Sequence, residues 1–235
     1  MPVTAAAVCP HPPLLVPEVA TGAAADLDDL RAACLSAIDH LSDATHIVVV
    51  GSGTDGTYDG TYQGTYDGAA GGGFGAYGAP GVRIGSGADV LPLALAVGGW
   101  LLEQTKAAGL PRTYRAVAPD AAPADCVQLG REIADSNERI GLLVMGDGSP
   151  RRSEHSPVHL HPRAEIFDTT VANAFQQTDL DVLKALDPRL ATELQAAGRA
   201  PWQVLAGALE NTTLNGDLTY EAAPYGVGYF VASFT

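Results

Sequence analysis

The histidines of this chain stand in settings with different chemistry. His11 lies in "CPHPP", where prolines on both sides stiffen the backbone just after a short apolar run. A preorganised imidazole of this kind suits a metal ligand, and Cys9 is close enough in sequence to share its face as a soft partner. The plainer alternative is a histidine that caps the loop through a hydrogen bond. His155, His159 and His161 cluster in "SEHSPVHLH". In an extended segment His159 and His161 point the same way, and Glu154 or Glu165 could complete a zinc or iron shell. The alternative for this cluster is a solvated surface loop. The segment "MGDGSPRR" places Asp147 beside Ser149 after another apolar run, where the pair is suited either to orienting a ligand or to capping a helix. Arg151 and Arg152 suit bidentate contacts with a carboxylate or phosphate, or simple solvation. No Gly-x-Ser-x-Gly elbow and no catalytic-cysteine motif is present, so hydrolase and thiol chemistry lack a basis.

Positioning these residues needs a scaffold, and the hydrophobic periodicity supplies one. Val3 to Val8 reads as a buried strand that delivers the His11 loop. Leu27, Leu30, Cys34, Ile38 and Leu41 recur at helical spacing, with Asp26, Asp28 and Asp29 in the first turn. "HIVVV" (46–50) is continuous and β-branched, the pattern of a strand buried on both faces. A short strand near "VRI", a helix from about Asp89 to Ala108, the strand "YRAVA", a helix near 123–137 and the strand "IGLLVMG" follow. Asp147 and its loop therefore sit at the carboxyl end of a core strand, the usual ligand-bearing end of an open α/β sheet. Helices are expected through "RAEIFDTTVANAFQQ", "DLDVLKAL" and "PWQVLAGALEN". The alternating aromatics of "LTYEAA" and "GVGYFVASF" suggest strands paired at the sheet's edge. His40 and His46 flank the start of the "HIVVV" strand, at the end away from this loop, and read as structural. The order is that of one α/β domain over residues 1–235, a central mostly parallel or mixed sheet with helices on both faces.

One stretch breaks this pattern. "GSGTDGTYDGTYQGTYDG" repeats Gly-Thr-Tyr directly after "HIVVV", with Tyr58, Tyr62 and Tyr66 in phase. A helix would stack the tyrosines, but each glycine costs about 1 kcal/mol relative to alanine, which disfavours it. A hairpin, a lid or a solvated low-complexity insertion at about 54–72 are the readings that remain. The segment lacks the lysine of a phosphate-binding loop and the alternating ligands of a calcium loop.

Composition narrows the partners. With 235 residues, 46% of them hydrophobic, the chain can bury a full core. A formal net charge of −14 argues against nucleic acid and anionic membranes and for small molecules or neutral or cationic partners. The three cysteines suggest a reducing compartment rather than a disulfide framework. The N-terminal segment lacks a basic region, and the apolar run from Val90 to Leu102 is too short to span a bilayer. A soluble, cytoplasmic protein is expected.

Taken together, "AAAVCPHPPLLVPEV", "HIVVVGSG", "GGFGAYG", "LLVMGDGSPRRSEHSPVHLHPRAEIFD", "GRAPWQVLAGAL" and "APYGVGYFVASF" resemble the class III extradiol dioxygenase (LigB-like) superfamily. The motifs span nearly the whole chain. The resemblance implies a single three-layer α/β domain. In active relatives it implies Fe(II) held by two histidines and a glutamate beside a catechol and O2, with a further histidine as acid and base. His11 matches the first metal histidine. The second is expected where this chain reads "GSGTDG", nearest Thr54 or Asp55. The acid/base histidine follows a serine in the family, a position taken here by Pro150. The carboxylate is expected before "PWQVL", where Glu193 is several residues early. A cysteine before "GR" in the Memo-like branch corresponds to Ala197.

Three functions follow as expectations. The first is a LigB-like protein with a degenerate iron site, whose cleft binds a small molecule, with aromatic ones among the candidates, through His11, Asp147, Ser149, Arg151 and Tyr58. The second is an extradiol-type metalloenzyme with a rebuilt Fe(II) or Zn(II) site, combining His11 with one or more of His155, His159 and His161 and with a carboxylate such as Asp55. In that case Asp147 or His155 is the candidate acid/base. The third is a non-catalytic interaction protein. A homodimer is expected from the aromatic edge strand.

Overall fold

A computed structural model describes residues 3–53, 64–88 and 90–235. In chain order it contains β1 (Val3–Cys9), α1 (Pro17–Ala20), α2 (Asp28–Asp39), β2 (His46–Ser52), β3 (Gly64–Asp67), β4 (Gly72–Phe74), β5 (Ala79–Ile84) and α3 (Leu93–Leu102). Then come β6 (Arg112–Val117), α4 (Pro123–Ala134), β7 (Ile140–Met145), α5 (Ala164–Gln177), α6 (Leu180–Lys184), α7 (Pro188–Leu194), α8 (Arg199–Leu209), β8 (Gly216–Ala222) and β9 (Tyr229–Phe234).

A seven-stranded sheet runs β3-β6-β2-β7-β1-β9-β8. Its centre, β6-β2-β7-β1, is parallel; β3 and β9 join it antiparallel, and β8 pairs antiparallel with β9 at the far edge. Strand alternation splits the core into two layers. Val48, Val50, Leu142 and Val144 face α4, α5 and α8, whereas Ile47, Val49, Leu143 and Met145 face α2 and α3. This is the expected three-layer α/β arrangement. No described helix is long and apolar enough to cross a membrane.

Several elements differ from the sequence reading. The helix expected over 89–108 is confined to Leu93–Leu102, because the Thr105 hydroxyl donates to the Leu102 carbonyl at 2.8 Å and closes the helix there. The "VRI" strand lies outside the main sheet, in the small antiparallel pair β4-β5. Helix α7 is an addition to the expected elements, although Asp187 accepts the Arg189 N–H at its start and Pro188 takes the first turn. The last Gly-Thr-Tyr unit is no loop: residues 64–67 form edge strand β3 against β6. The remainder of the repeat, with Thr54, Asp55 and Tyr58, lies outside the described residues, as does Asp89.

Candidate functional site

The chain leaves β1 toward α2 on one face of the sheet and leaves the neighbouring β7 toward α5 on the other. Oppositely directed exits from adjacent parallel strands mark the carboxyl-end position at which open α/β sheets form a ligand crevice. His11 follows one of these strands and Asp147 the other. The Gly146 N–H donates to the Cys9 carbonyl at 2.9 Å, and the His11 backbone N–H donates to Asp147 Oδ1 at 2.7 Å. The ring stays apart, since His11 Nδ1 is 3.5 Å from the same oxygen and is buried without a hydrogen-bond partner. His11 Nε2 likewise has no partner among the described residues. Burial pushes the Asp147 carboxyl above its ordinary pKa, and His11 partly opposes the shift.

Two anchors fix Asp147. The Gly198 N–H donates to the Asp147 carbonyl at 2.8 Å, tying the start of α8 to the crevice, and the Ser52 hydroxyl donates to the adjacent Ala197 carbonyl at 2.6 Å. On the other side, the fully buried Asp168 of α5 accepts the Ser149 N–H at 3.0 Å and Arg152 Nη1 at 2.9 Å. Burial raises its carboxyl to about 6 against the opposing pull of those two donors. Gly148 and Gly228 exchange backbone bonds with this loop, Gly148 N–H to the Gly228 carbonyl and Gly228 N–H to the Ser149 carbonyl. Gly228 is required there, because a Cβ would stand 2.1 Å from Asp168 Oδ2.

The other candidates lie elsewhere. Ser149 is buried, and its hydroxyl donates to the Leu194 carbonyl at 2.7 Å, which makes it part of the loop's anchoring rather than of a ligand surface. Arg151 donates to the carbonyls of His159 and Glu193. His155 and His159 are exposed. His161 Nε2 is 2.9 Å from Glu193 Oε1, and Arg163 also pairs with Glu193, forming a surface cluster that holds the Glu193 carboxyl below its ordinary pKa. Cys9 is fully buried with its Sγ 4.0 Å from the Cys34 carbonyl, so it packs against α2 instead of joining His11 as a soft ligand pair. His46 sits at the opposite pole, against Thr113.

Three residues around the crevice escaped the sequence reading. Asp168 looked like an ordinary position in an amphipathic helix. Cys34 is a core residue of α2 whose thiol is pushed well up by burial and further by Cys9 and Asp147. Tyr229 opens β9, almost fully buried, and Asp147 helps to raise its hydroxyl's pKa. A single acidic residue among apolar helix positions, and an aromatic directly after Gly-Val-Gly, were the available signals.

The iron that the family resemblance implies needs three protein donors and open positions. No group of three His, Cys, Asp or Glu side chains among the described residues is gathered closely enough to hold a metal. His11 Nε2 is the one donor of the expected set left open beside Asp147 among the described residues, while Glu193 is engaged with His161 and Arg163. The described donors therefore do not fit a three-ligand ferrous centre, and no step through iron is derived.

No protein-family model matches the chain, and no curated protein does. Among solved structures the chain is similar to an uncharacterized protein from Escherichia coli K12, at 15% sequence identity and a TM-score of 0.49, over 98% of this chain and 99% of that one.

Proposed function

We propose that this is a LigB-like protein whose crevice between His11 and Asp147 binds a small, neutral or cationic, oxygen-bearing aromatic molecule. The observation that carries the reading is the pairing of an unengaged imidazole Nε2 with a desolvated carboxylate at the point where the β1 and β7 exits diverge. Such crevices are where open α/β sheets recognise ligands. The two groups are suited to accepting hydrogen bonds from a ligand hydroxyl or amine and to exchanging a proton with it. The overall acidity of the chain disfavours an anionic ligand.

The competing reading is a rebuilt metal site. Its support is that a ligating histidine is commonly oriented by a carboxylate near its other ring nitrogen, as Asp147 lies near His11 Nδ1. One experiment separates the two: anaerobic loading with Fe(II) or Zn(II), metal content by mass spectrometry, and binding of 4-hydroxybenzaldehyde by difference spectroscopy, each for wild type and His11→Ala. Ligand binding lost in His11→Ala without stoichiometric metal supports the proposal. Stoichiometric metal lost in the variant supports the metal site, and a probe that binds neither protein overturns the ligand-binding reading.

A further inference from the structure

The start of β9 brings a third polar group to the crevice. β9 runs antiparallel to β1 with Val8 opposite Ala232, and the same register continued toward the strand ends directs Tyr229 to the level of His11. The preceding residue, Gly228, is bonded in both directions to the Gly148–Ser149 backbone that follows Asp147. Tyr229 is thus held between the two arms of the site, on the sheet face that carries Cys9 and α2. Only 3% of its surface is exposed, its hydroxyl makes no hydrogen bond among the described residues, and that oxygen is not one of the fully buried unpartnered atoms, so the ring is packed while the donor stays open to a ligand.

We infer that Tyr229 is the specificity-determining donor of this crevice, placing its O–H on a neutral carbonyl or hydroxyl oxygen of the ligand and discriminating against a carboxylate there. The inference rests on the reading of the crevice as a ligand site. Burial, reinforced by the nearby Asp147, holds the Tyr229 hydroxyl protonated well past the ordinary phenol range. The group is therefore a donor across the physiological range. A ligand carboxylate in the same place would share a desolvated setting with the Asp147 carboxyl, where two carboxylates cannot readily both ionise. A neutral oxygen gains the hydrogen bond without that repulsion.

The test compares two probes of nearly equal shape, 4-hydroxybenzaldehyde and 4-hydroxybenzoate, by difference-spectroscopic titration of wild type, Tyr229→Phe and His11→Ala. Wild type should favour the aldehyde, and Tyr229→Phe should weaken aldehyde binding roughly fivefold to tenfold while changing benzoate binding little. His11→Ala should weaken both. If wild type binds both probes equally and Tyr229→Phe changes neither, the role of Tyr229 is overturned while the crevice remains a ligand site. If neither probe binds wild type, the crevice reading falls and the inference with it.

Discussion

Asp147 holds the backbone of His11 and leaves its ring free: Oδ1 accepts the His11 N–H at 2.7 Å but stands 3.5 Å from Nδ1. The carboxylate is a loop anchor first, and the two ways of removing it should differ. Asp147→Asn keeps an oxygen to accept that N–H, whereas Asp147→Ala leaves the donor unsatisfied in a part-buried site. Urea unfolding should show Asp147→Ala less stable than Asp147→Asn by about 1–3 kcal/mol. Equal stabilities would show that the backbone bond contributes nothing.

Asp168 gives the protein a pH dependence of opposite sign to that of a salt-bridged surface carboxylate. Its folded value of about 6 lies above the ordinary 3.8, so the folded state binds the proton more tightly than the unfolded chain. The ionised form carries a penalty at neutral pH that is relieved as pH falls through 6 toward 4. The shift corresponds to at most about 3 kcal/mol. Comparing wild type with Asp168→Asn at pH 7 and pH 4.5, the gap in stability should move in favour of wild type at the lower pH. A gap that does not change with pH would refute the assignment.

Gly198 is a question of space rather than of backbone conformation, since its φ is −78°. A Cβ there would stand 2.1 Å from Trp202 Cζ2. The indole cannot yield, because it is fully buried with Phe175 and Phe230 edge-on at 5.6 and 5.9 Å. Gly198→Ala must instead move the start of α8, and with it the N–H that holds the Asp147 carbonyl. A loss of about 1–3 kcal/mol in unfolding free energy is expected, with weaker binding of 4-hydroxybenzaldehyde. Unchanged stability would mean that the helix start is free to shift.

The sequence disclosed what depends on local pattern. β1, β2 and β7 were legible because strands buried on both faces read as unbroken apolar runs, and the loops carrying His11 and Asp147 follow directly from where those runs stop. The bond between those two residues was not legible, for it joins positions 136 apart in the chain and depends on β1 and β7 being neighbours. Proximity in the chain was misleading in the "SEHSPVHLH" segment. There His161 turns to Glu193 on another element, and Arg151 is taken up by backbone carbonyls. Tyr229 was hidden by its own pattern, since an aromatic in an alternating strand looks like sheet packing until the register against β1 is known. β3 was obscured by composition: in Gly-Thr-Tyr-Asp the Gly and Asp oppose a strand while Thr and Tyr favour one, and pairing with β6 decides the matter.

The surface cluster around Glu193 supplies the last prediction, and it separates the family expectation from the arrangement seen here. Glu193 is half exposed and bound to His161 and Arg163, which together hold its carboxyl below the usual range. Exposed pairs of this kind contribute little to stability. Glu193→Gln should therefore lower stability only slightly, the more so as salt is raised, because screening already weakens the ion pairs in wild type. Affinity for 4-hydroxybenzaldehyde and metal content after Fe(II) loading should match wild type, since the side chain is directed to the post-β7 loop rather than to His11. A Glu193→Gln protein that loses metal which wild type retains would show that this carboxylate leaves its surface partners to join His11, and would reinstate it as a ligand.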